Sequence, residues 1–269
     1  MDDAACFSGE KVYGDDLSLE GIKQWYADEE LGYFNLKKGT SPEDSDYVYA
    51  YAALNEYHAY RYLRDHRFKT ALALGCARGD DVEPLAGVVE AYIAIEPAEK
   101  WWRPTIGGKP ARFVKPSVSG DIPCATGEID LAISLGVLHH IANVTHVINE
   151  IARVCAKDAI LVLREPISTM GDWRKPRVGL TKHERGFPLA WLDGRLAAAG
   201  FAVVRRRFCM FPLVSLAGRR LGINPYSNNS FVVFDHILCA LTRWNYHYHR
   251  DNVFKKLGPG SIFYLLRKV

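Results

Sequence analysis

The sequence predicts an α/β fold in which helices flank a parallel, doubly wound β-sheet. Two observations support this class. Short apolar runs with strand patterns alternate with helical patterns through the middle of the chain, and a glycine-containing loop follows the first of those runs. The composition, with 48% hydrophobic and 24% charged residues, is ordinary for a globular protein and rules out a disordered, collagen-like or disulfide-dense class. Alternation at this spacing is typical of parallel strands joined by helices.

Seven strands are predicted in chain order. The first six lie at 69–75, 91–96, 111–115, 128–135, 158–164 and 201–208, and the last lies at 261–268. Helices are predicted between them at 76–90, 143–156 and 188–199. The middle helix has the clearest pattern, because apolar residues recur in it at spacings of three and four: Val144, Val147, Ile148, Ile151 and Val154.

Two segments flank this core. Residues 18–30 and 46–65 have tyrosine-rich helical patterns, so residues 1–68 are predicted to form a helical cover or lid. Residues 212–260 are predicted to form a helical insertion before the last strand. An apolar stripe within it is interpreted as core packing, with a membrane-binding face as the alternative. It consists of Phe231, Phe234, Ile237, Leu238, Leu241 and Trp244.

Length and cysteine spacing exclude several classes of protein. The 269 residues suffice for one or two domains with a real core. No apolar run approaches the roughly 18 residues of a membrane-spanning helix, so we expect a soluble, cytoplasmic protein. The six cysteines stand at least 30 residues apart without a CxxC pair, which argues against a zinc knuckle or a redox dithiol. We expect no metal site.

Charge is distributed unevenly along the chain. Residues 1–70 carry 8 Lys/Arg against 14 Asp/Glu, whereas residues 205–269 carry 11 against 2. The basic C-terminal segment is interpreted as a solvated face. An anionic substrate, a membrane surface and a nucleic acid remain open as its partners.

A loop after the first strand is suited to bind a nucleoside. Gly75 and Gly79 allow the backbone to approach a ligand closely, at the sheet edge where ligands of such folds bind. Glu96 ends the next strand, 21 residues after Gly75, where a carboxylate accepts hydrogen bonds from ribose hydroxyls. These residues fit a nicotinamide dinucleotide and S-adenosylmethionine equally well.

The motifs along the chain favour the second cofactor. Residues 72–79 (LALGCARG) and 133–140 (ISLGVLHH) resemble the first motif and the post-strand motif of class I S-adenosylmethionine-dependent methyltransferases, in the small-molecule branch with domains of the 11/25 type. The resemblance continues through 149–154, 163–166 and 199–201 and covers about residues 69–209 plus the final strand. A short-chain dehydrogenase would instead need a Tyr-x-x-x-Lys pair after the glycine loop.

This resemblance implies a Rossmann-like, seven-stranded sheet with an antiparallel last strand, built from residues 69–211 and 261–269. It also implies S-adenosyl-L-methionine as cofactor. Two departures from the family are Ala73, where an acidic residue is usual, and Ala77, where glycine is usual. The cofactor contacts it implies are Gly75, Ala77 and Gly79 for the methionine part, Glu96 for the ribose, Pro97, Ser119, Gly120 and Asp121 for the adenine, and Ser134, Leu135 and Gly136 for the amino group.

Candidates for acid–base chemistry follow the fourth and fifth strands. An alcohol acceptor must lose a proton, and a neutral histidine suits that task near pH 7. His140, His139 and Glu165 are the candidates, each with packing or capping as its alternative role. The polar stretch 168–186 is predicted to bind substrate, with a purely solvated loop as the alternative. Its candidate substrate contacts are Asp172, Trp173, Arg174, His183 and Arg185.

The predicted function is therefore methyl transfer from S-adenosylmethionine to a small-molecule or sugar acceptor, most simply at oxygen, in surface-polysaccharide or natural-product synthesis. Two alternatives stay open. The basic C-terminal segment could serve an RNA or DNA methyltransferase, which would bind with steep salt dependence. The departures at Ala73 and Ala77 could instead mark a non-catalytic, cofactor-binding partner protein.

Overall fold

An eight-stranded sheet forms the centre of the protein. The computed structural model describes residues 3–34, 49–177 and 179–269. Strand order across the sheet is β3-β4-β2-β1-β5-β6-β8-β7. The strands are β1 (Phe68–Leu74), β2 (Val89–Ile95), β3 (Thr105–Ile106), β4 (Lys109–Val114), β5 (Ile129–Leu135), β6 (Cys155–Pro166), β7 (Phe201–Cys209) and β8 (Ser261–Lys268).

Strand directions confirm the predicted topology. The neighbours β4, β2, β1, β5 and β6 pair in parallel, whereas β8 pairs antiparallel with both β6 and β7. The last strand of the chain, β8, thus lies antiparallel beside β6, which is the fifth predicted strand. The eighth strand is the two-residue β3, which forms a hairpin with β4 across Gly107 and Gly108. Both glycines have positive φ, as the tight turn requires.

Helices cover the two faces of the sheet. On one face, α4 (Val144–Val154) and α5 (Leu189–Ala198) pack against alternate residues of the central strands. On the other face lie α3 (Ala52–His58), α6 (Pro212–Leu221) and α7 (Asn229–Leu241). Because both faces are covered, the central strands are almost continuously apolar. The remaining helices are α1 (Asp3–Ser8) and α2 (Leu19–Phe34), and no described helix is long and apolar enough to cross a membrane.

The predicted tyrosine-rich helix at 46–65 is only partly formed. Its first three residues lie outside the described part of the chain. The remainder contains α3 followed by a short 3₁₀ turn at Tyr60–Tyr62.

The predicted helix at 76–90 is wrong. Residues 76–88 run in turns with one 3₁₀ turn at Glu83–Leu85, and β2 already begins at Val89. Pro84 explains the difference, because inside an α-helix it would lack an N–H donor and collide with the preceding turn. Gly79 and Gly87 add further breaks. The loop after β1 therefore offers individual backbone amides but no helix N-terminus.

The core-packing interpretation of the stripe in the insertion holds for Phe231 and Leu238, which pack partly buried against the core, but is wrong for the other four residues. The side chains of these four are largely exposed: Phe234 by 54%, Ile237 by 49%, Leu241 by 68% and Trp244 by 72%. The opposite face of α7 points inward. Its Asp235 is fully buried because the carboxylate accepts hydrogen bonds from the backbone amides of residues 210 and 211, just before α6.

Candidate active site

The carboxyl ends of β1, β2, β5 and β6 meet at one edge of the sheet. Gly75 follows β1 and donates its backbone N–H to the carbonyl of Ile95 at 2.8 Å, which ties the glycine loop to the end of β2. Gly75 has φ +61°, and a Cβ there would lie 2.7 Å from Cγ1 of Val137. Glycine is therefore required at this position for both its conformation and its space. The loops after β1 and β5 are in direct contact.

The carboxylate of Glu96 is hydrogen-bonded to the glycine loop. Its side chain is 3% exposed, and its two oxygens accept the backbone N–H groups of Ala77 at 2.9 Å and Ala98 at 3.0 Å. Burial raises the pKa of Glu96. Each oxygen keeps a second acceptor position, so the carboxylate can still receive hydroxyl donors. Pro97, next in the chain, is exposed.

Ala77 adopts a backbone conformation that glycine usually provides. Its φ is +47°, in the left-handed region that costs an L-residue about 1–2 kcal/mol. Gly79 follows with φ +88°. Alanine at position 77, where the family usually has glycine, therefore keeps the backbone conformation of the loop but makes it strained.

A narrow cleft lies beside these loops. Leu74 and Ile95 line it from the strand ends, Gly120 and Asp121 from the next loop, and Tyr26 from α2. This places two of the predicted adenine contacts beside the glycine loop and Glu96. A shallower depression lies at the other end of the sheet, between the amino-terminal halves of β1, β2 and β4.

Ser119, another predicted adenine contact, lies in a loop that is held by a chain of hydrogen bonds. Ser119 Oγ donates to Asp121 Oδ2 at 2.5 Å, and the other oxygen of Asp121 lies 2.8 Å from Nε2 of His146. These hydrogen bonds lower the pKa of Asp121. Asn143 donates through its side-chain amide to the Ser119 carbonyl at 2.6 Å.

Two buried polar atoms near the glycine loop have no partner in the described structure. One is Oγ of Ser134, a predicted contact of the cofactor amino group, at the end of β5 between buried neighbours. The other is Oδ1 of Asp81, whose pKa burial raises to about 7. Asp81 lies close enough to Cys76 to help raise the pKa of that thiol. Sequence reasoning missed Asp81, although it follows the loop directly.

Glu165 and His139 form a buried pair at the end of β6. The Glu165 side chain is fully buried, and its Oε1 accepts the backbone N–H groups of Val137 at 3.0 Å and Leu138 at 2.8 Å. Its Oε2 lies 2.8 Å from Nδ1 of His139. A carboxylate in this position favours a proton on Nδ1, which leaves Nε2 of His139 as a proton acceptor.

His140 is held differently, between two carboxylates. Its Nδ1 lies 2.8 Å from Glu29 Oε2, and its Nε2 lies 3.5 Å from Glu184 Oε1. Burial lowers the pKa of His140 and raises that of Glu184. Burial opposes ionisation of Glu29 too, but hydrogen bonds from His140 and from the residues at 181 and 183 outweigh it and lower the pKa of Glu29.

Glu29 and Glu184 were both missed by sequence reasoning. Nothing in the pattern of α2 distinguishes Glu29, whereas Glu184 stands in the stretch predicted to bind substrate. Among the described residues, His139, His140 and Glu184 form a group whose ligand atoms lie within 4.8 Å of one another. This group, the His–His–Glu cluster, could hold a divalent cation, a possibility the sequence did not suggest.

The first part of the predicted substrate stretch packs against the N-terminal segment. Trp173 is 5% exposed, with its ring centroid 5.5 Å from that of Phe7 and 5.1 Å from that of Tyr13. Arg174 lies over the Phe7 ring and donates to Asp172 at 2.8 Å. Asp172 and Arg174 form an ion pair at the surface, whereas Trp173 has a packing role.

The second part of the stretch is buried. Arg185 is 1% exposed and donates to the carbonyls of His139, Ile141 and Ala142 at 2.7–3.0 Å. Burial lowers its pKa to about 10, so it remains charged at neutral pH. It supports the backbone that carries the two histidines. A purely solvated loop, the alternative for this stretch, does not describe these residues.

His183 joins this stretch to α2. Its ring is stacked on Trp25 with centroids 4.3 Å apart, and its Nε2 lies 2.8 Å from Asp28. Trp25 in turn donates through Nε1 to the carbonyl of His140 at 2.6 Å. The N-terminal segment therefore covers the histidine loop through direct contacts.

Comparison with known proteins agrees with this geometry. Residues 72–163 match the model of a methyltransferase domain. No curated protein matches the chain significantly. An S-adenosylmethionine-dependent methyltransferase from Archaeoglobus fulgidus is similar in structure, with a TM-score of 0.51 and 15% identity, over 80% of this chain and 92% of that one. One from Mesorhizobium loti has a TM-score of 0.49 and 14% identity, over 76% and 93% of the two chains.

The family match includes the glycine loop, Glu96 and the two histidines, and the fold is the same as that of the Archaeoglobus enzyme. Residues 72–163 therefore match a methyltransferase domain, and the chain has the fold of class I S-adenosylmethionine-dependent methyltransferases.

Proposed function

We propose that this protein transfers a methyl group from S-adenosylmethionine to an oxygen of a small polar acceptor, with His139 as the general base. The observation that carries this proposal is the buried pair of Glu165 and His139 at the cofactor edge of the sheet. A histidine oriented by a carboxylate can accept a proton through its other nitrogen.

The residues at this edge fit the cofactor. Glu96 retains acceptor capacity for ribose hydroxyls, and the cleft lined by Gly120 and Asp121 lies beside it for the adenine. Ser134 Oγ and Asp81 Oδ1 are buried acceptors without partners, as the amino group of the methionine part would require. We propose that Asp81 supplies the acidic function that is missing at Ala73.

The chemistry places few demands on the protein beyond orientation and proton removal. When bound, the cofactor supplies an electrophilic methyl carbon, whose bond to sulfur breaks as the acceptor oxygen attacks. Holding the two reactants in line accounts for much of the rate in such a displacement. His139 Nε2 takes the acceptor's hydroxyl proton, and Glu165 stabilises the resulting imidazolium.

His140 is better suited to position the lid than to act as the base. Both of its ring nitrogens face carboxylates, one from α2 and one from the 181–186 stretch. We propose that residues 1–68 serve as a lid over the acceptor site, with Glu29 as its attachment to His140. This role predicts that loss of His140 weakens acceptor binding more than it slows turnover.

A small acceptor, such as a sugar, suits this enclosure better than a nucleic acid. His139 is only 9% exposed, and Trp25 and Arg185 enclose its loop. Asp172 and Arg174 at the outer surface could contact polar groups of the acceptor. Synthesis of a surface polysaccharide or a natural product, in the cytoplasm, is the setting we propose for this reaction.

Calorimetry with S-adenosylmethionine and S-adenosylhomocysteine tests the cofactor part. Wild-type protein should bind both, and Glu96→Ala should abolish binding. The catalytic part is tested by transfer of a labelled methyl group to a panel of nucleotide-linked and lipid-linked sugars. There, His139→Gln should lose turnover but keep cofactor affinity, whereas His66→Gln, an exposed control, should change neither.

The alternatives give different results in the same experiments. Cofactor binding without turnover on any acceptor would favour a non-catalytic partner protein. Methylation of RNA or DNA, with steep salt dependence, would favour a nucleic-acid methyltransferase. Full turnover by His139→Gln on the true acceptor would refute the assignment of the base.

A further inference from the structure

The outward face of α7 is apolar from Val233 to the end of the helix at Leu241. Val233, Phe234, Ile237 and Leu241 are 39%, 54%, 49% and 68% exposed. At 100° per residue these positions fall within one side of the helix, and Ala240 lies on the same side. Val232 and Cys239, on the inward side, are buried, so α7 carries apolar residues on two sides. An apolar side of a helix is normally packed against another element.

The apolar face continues beyond the end of α7. Trp244 is 72% exposed, and its ring centroid lies 6.1 Å from that of Phe254, which is 59% exposed. Val253, next to Phe254, is 75% exposed. We call Phe234, Ile237, Leu241, Trp244 and Phe254 the apolar strip. Soluble monomers rarely leave a contiguous patch of this kind uncovered.

Cations accompany the strip in the chain, and carboxylates are scarce. Exposed Arg243 stands directly before Trp244, and exposed Lys256 stands close after Phe254. Residues 205–269 contain two acidic residues, Asp235 and Asp251. Asp235 is buried beneath α7, and Asp251 is paired with a lysine at 2.9 Å. The strip therefore combines an apolar centre with an excess of positive charge.

We propose that the apolar strip rests on an anionic lipid bilayer, with α7 lying in the plane of the interface. Exposed Trp and Phe beside Lys and Arg are the side chains that such interfacial helices use. Charge complementarity favours the lipid surface over a second copy of this chain. A symmetric dimer would bring Arg243 and Lys256 of two copies together without carboxylates to neutralise them.

This inference is independent of the proposed reaction. It states what the exposed face of α7 binds, and it requires no catalytic residue. The sequence left several partners open for the basic C-terminal segment, and this proposal selects a membrane surface among them. Arg219 and Arg220, exposed at the end of α6, add to the positive charge of the C-terminal segment.

Co-sedimentation with vesicles tests the proposal on the full-length protein. We expect binding to vesicles of equal parts phosphatidylglycerol and phosphatidylcholine, little binding to phosphatidylcholine alone, and weakening by salt. Phe234→Ser with Leu241→Ser should reduce binding by at least about tenfold, because two large apolar side chains lose their burial. Val203→Ser with Val204→Ser is the matched control and should bind as wild type, since both valines are exposed on the edge strand β7.

Three results would overturn the proposal. The first is no binding to either type of vesicle. The second is an equal loss of binding in the β7 control, which would show that general surface apolarity is responsible. The third is a concentration-dependent dimer in sedimentation velocity that the α7 double variant abolishes, which would assign the strip to a second copy of the chain. Circular dichroism should show unchanged folding for every variant, because only exposed side chains are altered.

Discussion

The pair of Glu165 and His139 can be tested by replacing one functional group without changing the size of the side chain. In Glu165→Gln, the amide oxygen can still accept the backbone N–H groups of Val137 and Leu138. The amide nitrogen then faces Nδ1 of His139 as a donor. This forces the histidine proton onto Nε2, the atom required to accept the substrate's proton.

The size of the effect follows from this tautomer change. Loss of a general base typically slows a reaction by about 10²–10⁴-fold, so kcat should fall by that factor while affinity for S-adenosylmethionine stays within about twofold. Replacing hydrogen bonds to a charged acceptor by bonds to a neutral one should cost about 1–3 kcal/mol of folding free energy. Methyl-transfer kinetics and urea unfolding measure the two quantities separately.

A second glutamate provides the control for this substitution. Glu150 also accepts a backbone amide, from Ile122 at 2.9 Å, and pairs with Arg153 at 2.7 Å, but neither of these partners belongs to the loop of His139 and His140. Glu150→Gln should therefore change stability slightly and kcat not at all. If Glu165→Gln turned over at the wild-type rate, or lost cofactor affinity as completely as Glu96→Ala, our assignment of Glu165 as the positioning residue of a base would fail.

The remaining predictions concern the loop, pH and metal. Burial raises the pKa of Asp81 from 3.8 to about 7, so the folded state binds more protons over that range and stability should fall as pH rises from about 4 to 7, by up to about 4 kcal/mol. Asp81→Asn should flatten this dependence in urea unfolding while weakening cofactor binding in calorimetry; an unchanged pH dependence would contradict the burial argument. Ala77→Gly should relieve positive-φ strain and stabilise the protein by up to about 1 kcal/mol, whereas Ala98→Gly, at φ −91°, should destabilise it. A chelator should leave methyl transfer unchanged, since the base is a histidine, and activity lost to chelation but restored by a divalent ion would assign the His–His–Glu cluster to metal binding.

The half of the site that we propose for the cofactor was largely predictable from the sequence. A strand, a glycine loop and an acidic residue at the end of the next strand are local patterns, and parallel pairing brings their ends to one edge. Gly75 and Glu96 lie at the strand ends where these patterns indicated, and Ser134 lies at the end of β5, where the resemblance to the family indicated. The antiparallel last strand was predicted as well, through the resemblance to the family, whereas the order of the strands across the sheet came from the structure.

The acceptor half could not be predicted in the same way. Glu29 meets His140 across 111 residues of chain, and the closing contacts from Trp25 and Arg185 are equally remote in sequence. No local pattern records such contacts, because they arise only when α2 and the 181–186 stretch pack over the same loop. Arg185 was expected to bind substrate and is instead buried beneath the histidines.

The sequence by itself determined the alternation of strands and helices, because this depends on hydrophobic periodicity. It also determined the position of the glycine loop, because the backbone conformation of that loop is one that few other residues adopt. Only the tertiary structure decided which side of α7 faces the core. Both sides are apolar, so hydropathy could not choose between them, and the buried carboxylate of Asp235 made the choice by accepting the backbone amides before α6. Four of the six residues of the stripe, Phe234, Ile237, Leu241 and Trp244, thereby face outward.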